Sequence, residues 1–273
     1  MFKKIRTIFY SDTENLDSGF LESIHPPFVG GVIPDFKGKT LFGVKIFDTI
    51  KQACQNVHCT AVFLFVDPKN VLNVVEEVID AKLDWVICTT ANIAQEDLLE
   101  MKEKLDKSKT KMLGPNSMGF CIPKSGSLSI MPDIFQKGNV ALIGKSDTLL
   151  YEVACQLREK GLGESLVMHI GKGPVRGIGF KEGLKMARDI EDTKVCVLLS
   201  DVVGNEELEC IEQIKKTPIP VIVLMPGVSF PEIKDIEMSF VYDKINALKN
   251  THATFAKNFL EIGTLCQNAL RNS

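Results

Sequence analysis

Gly144-Lys145-Ser146 stands between an apolar run and a helical pattern, and these residue types in this order close a phosphate-cradling P-loop. The full motif needs glycine where this chain has Asn139; Gly138 is one place too early, and the intervening residues read as strand rather than loop. A simpler chemistry remains. A polar turn at a helix start offers unpaired amides and a positive dipole end to a carboxylate or phosphate. Ser146 and Thr148 add hydroxyls there, and Lys145 adds a charge that can steer an anion. The same residues serve equally well as plain helix caps, and Asp147 can take the amides for itself.

Other chemistry-bearing residues lead to blander readings. Gly171, Gly173, Gly177 and Gly179 line one loop, but Arg176 stands where a dinucleotide fingerprint requires glycine, so close backbone packing is favoured. The histidines are His25, His58, His169 and His252. None has a second histidine or a carboxylate at metal spacing, and no G-x-S-x-G elbow occurs. The eight cysteines form no C-x-x-C pair, which argues against a zinc ribbon. Cys88 and Cys196 sit in apolar runs, where a thiol packs as a small hydrophobe.

These residues must be positioned by alternating strands and helices. Thr60–Val66 is a continuous apolar run, as expected of a strand covered on both faces. Asn70–Ala81 has helical spacing at Val71, Val74, Val75 and Val78. Strand Trp85–Cys88, helix Gln95–Leu105 (with Leu98, Leu99, Met101 and Leu105) and strand Lys111–Leu113 follow, ending at the Gly114-Pro115-Asn116 turn. Residues 121–139 break the rhythm, which restarts with Val140–Ile143, a helix over 148–160, and strand Ser165–Ile170. A helix over 180–190, strand Val195–Leu199, a helix over 206–215 and strand Val221–Met225 complete the series, before a mixed tail and a helix over 258–270. Parallel strands need crossover helices, so two such series predict two parallel-sheet α/β domains, over 1–125 and 126–273. A net charge of −3 gives no footprint for a nucleic-acid backbone. No run approaches the length of a membrane span, the start lacks a signal-peptide core, and acidic Asp12, Glu14 and Asp17 disfavour a transit peptide. The expectation is a reduced, cytoplasmic protein with no membrane or nucleic-acid partner.

Gly30-Gly31-Val32-x-Pro34, Leu113-Gly114-Pro115-Asn116-x-x-Gly119 and Ser146-x-Thr148-Leu149-x-Tyr151-Glu152 occur in that order. Together they resemble the α subunit of succinate–CoA ligase over roughly residues 5–228. The resemblance implies a Rossmann-like CoA-binding domain followed by a flavodoxin-like ligase domain, and an ATP-grasp β subunit as partner. It implies CoA as cofactor, with contacts around Lys37, Thr90, Asn92 and Asn116. A small carboxylate substrate would lie at Ser146, Thr148 and Tyr151. In that family a histidine carries the phosphoryl group to the acid before CoA captures it.

Two stretches depart from the pattern. The family's glycine-rich CoA loop corresponds to Ser11–Gly19, which is acidic and nearly free of glycine, and its CoA lysine falls at Phe36, one place before Lys37. Carboxylates repel phosphates, and side chains block the close approach that glycine allows. The phosphohistidine loop should follow Pro226-Gly227-Val228, but the sequence there has neither histidine nor glycine, and the family's supporting glutamate falls at Asp201. Covalent catalysis needs its nucleophile, so no catalytic residue is assigned and a binding or scaffold subunit is expected. Two alternatives stay open. One is altered acyl or carbamoyl transfer, since Lys137-Gly138-Asn139-Val140-x-x-Ile143-Gly144 resembles the carbamoyltransferase branch of the fold. The other is an active CoA ligase subunit completed by another chain's histidine.

Overall fold

The computed structural model describes residues 5–13, 16, 28–173, 175–201, 206–226 and 237–271, with backbone only for 237–240. Most of the acidic 11–19 segment, His25 and the 227–236 stretch therefore lie outside the described residues. Contacts divide the chain into two units. The first comprises 1–121, 125–133 and 171–178; the second comprises 122–124, 134–170 and 179–273. The sequence reading placed a single cut after residue 125, whereas this division takes the glycine-bearing 171–178 loop with the first unit.

The first unit is built on β1 (Thr7–Ser11), β2 (Gly30–Val32), β3 (Thr40–Leu41), β4 (Val44–Phe47), β5 (Ala61–Phe65), β6 (Trp85–Cys88) and β7 (Lys111–Leu113). Their order is β3-β4-β2-β1-β5-β6-β7, parallel except for the β3–β4 edge pair. This is the doubly wound dinucleotide-fold order, with its switch point between β1 and β5. Alternation puts Ile8, Tyr10, Val62, Leu64 and Val86 into a core with α1 (Ile50–Asn56), α2 (Val71–Asp80) and α3 (Gln95–Asp106). The opposite face buries Phe9 and Phe63 against Phe28, with ring centroids 5.2 and 6.0 Å apart. Burial on both faces explains why β5 reads as an unbroken apolar run. In α2 the four predicted valines are the buried ones, and Asp67 caps the turn Pro68–Asn70 that leads into it. In α3 the inward stripe is Leu98, Met101 and Leu105; Leu99, included in the predicted stripe, is 54% exposed because it falls outside the i, i+3, i+7 face.

Two short strands, β8 (Gly119–Ile122) and β9 (Gly126–Ser129), occupy the stretch that lacked periodicity. The second unit contains β10 (Lys137–Gly144), β11 (Glu164–His169), β12 (Val195–Leu199), β13 (Val221–Leu224) and β14 (Thr254–Ala256). These run parallel in the order β14-β13-β12-β10-β11, the flavodoxin-like arrangement, with its switch point between β10 and β12. The helices are α4 (Asp147–Glu159), α5 (Phe180–Arg188), α6 (Glu206–Glu209), α7 (Ile211–Lys216), α8 (Glu237–Lys249) and α9 (Ile262–Arg271). The expected α/β class with two parallel sheets is what the chain adopts. Among the described residues no helix is long and apolar enough to cross a membrane.

At the start of β10 the register slips against β11, and the backbones touch. A Cβ on Gly138 would lie 2.2 Å from the Gly163 carbonyl carbon, so only glycine fits. Gly138 is thus a packing residue rather than a phosphate-loop remnant.

Candidate functional site

The first unit's carboxyl edge gathers the ends of β1, β2, β5, β6 and β7, and every residue expected to contact CoA lies there. Lys37 is exposed in the turn after β2, with its amide donating to Asp48 Oδ1 at 3.1 Å. Thr90 follows β6 and donates its hydroxyl to the Val66 carbonyl at 2.8 Å, tying two edge loops together. The Asn116 amide donates to the Thr90 carbonyl at 2.9 Å. Asn92 and Asn116 both have positive φ, 57° and 53°, which asparagine tolerates better than most residues. Gly171 completes this loop cluster. Its φ is +85°, and a Cβ there would lie 2.1 Å from the Pro115 carbonyl oxygen, so the glycine serves close backbone packing.

Two features of this edge escaped sequence reasoning. Lys39 places its ammonium 4.0 Å from the centre of the Phe36 ring, so the position where the family has a lysine holds an aromatic ring with a cation over it. Asp12, at the switch point, accepts from the Asp67 amide at 2.7 Å and from Asn70 Nδ2 at 2.9 Å. An acidic side chain here holds the start of the second βα loop. Acidity of the segment was legible; its partners on the far side of β5 were not.

At the second unit's carboxyl edge the ladder continues past the strands. The Lys145 amide donates to the Leu199 carbonyl at 3.2 Å and the Ser200 amide to the Leu224 carbonyl at 2.9 Å, which fixes both residues at the β10/β12 switch point. Lys145 is only 2% exposed. Its ammonium lies 2.8 Å from Asp201 Oδ1, 2.8 Å from Glu206 Oε2 and 3.1 Å from Glu207 Oε1. The fully buried Lys244 ammonium lies 3.1 Å from Glu207 Oε2 and donates to the Asp201 carbonyl at 2.9 Å. Ser200 donates to Glu207, and the buried His169 ring has Nε2 3.1 Å from the Lys145 carbonyl oxygen. Burial works to lower the Lys145 pKa, but Glu207, Asp201 and Glu206 outweigh it and hold it above the ordinary lysine range. The expectation that Lys145 supplies a charge to steer an anion is therefore corrected: three carboxylates claim it. Nothing local in the sequence marks Glu206, Glu207 and Lys244 as a cluster.

The residues expected to hold a carboxylate substrate sit beside this cluster at the start of α4. Ser146 is the N-cap and accepts from the Leu149 amide at 3.4 Å; Asp147 occupies the first helical position rather than the cap. Thr148 is exposed. Tyr151 is half-buried and stacks on Phe135, with ring centroids 6.0 Å apart, and burial, with a smaller push from Asp147, raises its phenol to about 12. The arrangement supplies a capped helix start with hydroxyls and a neutral phenol, while the adjacent Lys145 is engaged by three carboxylates. A separate cavity of about 400 Å³ lies between α5 and α7, lined by Lys181, Lys185, Arg188 and Lys216 and by none of the expected site residues. No cluster of three or more metal-ligating side chains occurs among the described residues.

Residues 15–92, which contain most of the carboxyl-edge loops of the first unit, match the CoA binding domain family. Over 247 residues the chain is 31% identical to a succinate–CoA ligase [ADP-forming] α subunit of Archaeoglobus fulgidus, covering 87% of this chain and 86% of that protein. The chain belongs to the succinate–CoA ligase α-subunit family. The Staphylococcus aureus α subunit is 34% identical over 205 residues, covering 74% of this chain and 68% of that protein. In fold, the chain is similar to ATP citrate lyase from Methanothrix soehngenii solved with citrate and coenzyme A (TM-score 0.82, 15% identity). That match covers 99% of this chain, which spans about half the length of the lyase chain. Against this family, the first unit is a CoA-binding-type domain and the second a ligase-type domain.

Proposed function

We propose that this family member is a binding subunit that keeps a CoA site at the carboxyl edge of its first unit and does not relay phosphate through a histidine. The observation that carries this reading is the engagement of Asp201. A supporting carboxylate in a histidine relay must orient an imidazole, whereas Asp201 Oδ1 holds the Lys145 ammonium at 2.8 Å. The described histidines are poorly placed to substitute. His58 precedes β5 and His252 precedes β14, so both lie toward the amino edges of their sheets. His169 is 2% exposed and packed against the Lys145 carbonyl.

The CoA half rests on the family match over 15–92 and on the convergence of Lys37, Thr90, Asn92 and Asn116 at one sheet edge. Asp12 tempers the affinity, since its carboxylate occupies an amide at the switch point that a phosphate would otherwise use. An ATP-grasp β-type subunit is the natural partner, a small carboxylate the natural ligand at Ser146, Thr148 and Tyr151, and the cytoplasm the natural location. The test combines the chain with a ligase β subunit and γ-labelled ATP, and titrates CoA calorimetrically into the same complex. The expected result is no acid-labile label on this chain and CoA binding weaker than about −8 kcal/mol, a micromolar constant. Acid-labile label on this chain refutes loss of the relay; absence of any CoA binding heat refutes the retained site.

A further inference from the structure

The geometry points to Cys54 and Cys59 as a peroxide-reactive dithiol that closes to an intramolecular disulfide. Their sulfurs lie 3.1 Å apart, one near the end of α1 and the other in the segment leading into β5. Both sides of the pair are anchored. The last turn of α1 is closed by the Val57 amide donating to the Ala53 carbonyl at 2.8 Å. The facing segment is held by Arg6, whose Nε donates to the His58 carbonyl at 2.7 Å and whose amide donates to Thr60 Oγ1 at 3.1 Å. Backbone hydrogen bonds therefore hold both of the segments that carry the thiols. Both are half-buried, so a small oxidant can reach them, whereas Cys88, Cys196, Cys210 and Cys266 are buried with thiols pushed up to about 12.

The two sulfurs are chemically unequal. The hydrogen bond shared with Cys59 lowers the Cys54 thiol against the opposing effects of burial and Glu77. Cys59 is raised correspondingly, by that bond and by burial, with Arg6 pulling the other way. Either thiol can attack as the thiolate while its neighbour resolves, and the direction of the shifts favours Cys54 as the attacker. In the first step Cys54 sulfur attacks a peroxide oxygen, the S–O bond forms, the O–O bond breaks, and hydroxide leaves to become water. In the second, Cys59 sulfur attacks the sulfenyl sulfur, the S–S bond forms, the S–O bond breaks, and hydroxide departs as water with the Cys59 proton. Two thiols supply the two electrons that reduce one hydrogen peroxide to two waters.

The test treats the full chain with stoichiometric hydrogen peroxide, alkylates the remaining thiols and maps them by mass spectrometry. Exposed Cys155 is the internal control. The expected result is joint loss of alkylation at Cys54 and Cys59, a linked peptide lighter by two hydrogens, and full recovery on reduction while Cys155 stays alkylated. Cys59→Ser should stop at a sulfenic acid on Cys54 that dimedone traps, with circular dichroism confirming the fold. Full alkylation of Cys54 and Cys59 when Cys155 is already oxidised overturns the proposal.

Discussion

Glu164→Gln is expected to stabilise the second unit above neutral pH. Glu164 begins β11 and is 2% exposed, caught where β10 slips register and Gly138 meets Gly163. Its Oε2 accepts from the Gln136 amide at 2.8 Å, and its own amide donates to the Gln136 carbonyl at 2.6 Å. Burial is the largest influence and raises its pKa from 4.5 to about 7, against backbone hydrogen bonds and Arg158, which favour the charge. At about 1.4 kcal/mol per pH unit, that rise costs about 3 kcal/mol once the group ionises.

The sign follows from linkage. The folded carboxyl holds its proton to higher pH than the unfolded one, so wild type is most stable below the unfolded value and loses stability as pH rises to about 7. Glutamine keeps the acceptor for the Gln136 amide and removes the charge. Urea unfolding of both proteins from pH 5 to pH 8, with hydrogen exchange read in peptides covering 164–169, isolates this residue because other groups titrate alike in both. The two should be nearly equal at pH 5, and the variant should lead by roughly 2–3 kcal/mol at pH 8. Parallel stability curves across that range would refute the reasoning.

Glu207→Gln should cost about 3–5 kcal/mol in thermal unfolding, because two buried lysines share that charge, while Lys244→Met should cost less since Lys145 and Ser200 still satisfy Glu207; equal losses would contradict this. Gly138→Ala should destabilise by about 1–3 kcal/mol in the same assay, because its Cβ would meet the Gly163 backbone. Asp12→Asn should tighten CoA roughly fivefold by calorimetry, since one unit charge about 4 Å from a phosphate costs about 1 kcal/mol in water; an unchanged constant would place the phosphates away from Asp12.

Elements buried on both faces were the legible ones. β5, β6, β7, β12 and β13 are apolar at nearly every position, and α2 carries its valines on one stripe. β2 was hard to read because it is three residues long and two of them are glycine, so its burial comes from its neighbours rather than from its own side chains. α8 has weak apolar periodicity, so its sequence reads as part of a mixed tail. At the site, the polar turn before α4 announced the Ser146 cap. The fate of Lys145 was hidden, since its ion-pair partners follow β12 and the partner it shares with Lys244 is buried from solvent.

The two switch points carry the same kind of modification, each within its own unit. In the first, Asp12 supplies an internal anion to an amide at the β1/β5 crevice, where a doubly wound sheet ordinarily receives phosphate. In the second, Lys145 and Asp201 meet at the β10/β12 crevice, and Glu206, Glu207 and Lys244 enclose the pair. A ligand phosphate at the first crevice must displace a charge-assisted hydrogen bond worth about 1.5–3 kcal/mol before it gains its own. A phosphoryl group at the second must approach three carboxylates against two lysines, with Asp201 at 43% exposure as the accessible acid. Displacement is a moderate cost that further contacts of a bound ligand could meet, whereas net negative charge around a phosphoryl group works against its transfer. Under the function proposed above, the Asp12 contact at the first crevice is the basis for expecting weaker CoA binding, and the Lys145 carboxylate cluster at the second is the basis for expecting no phosphoryl relay.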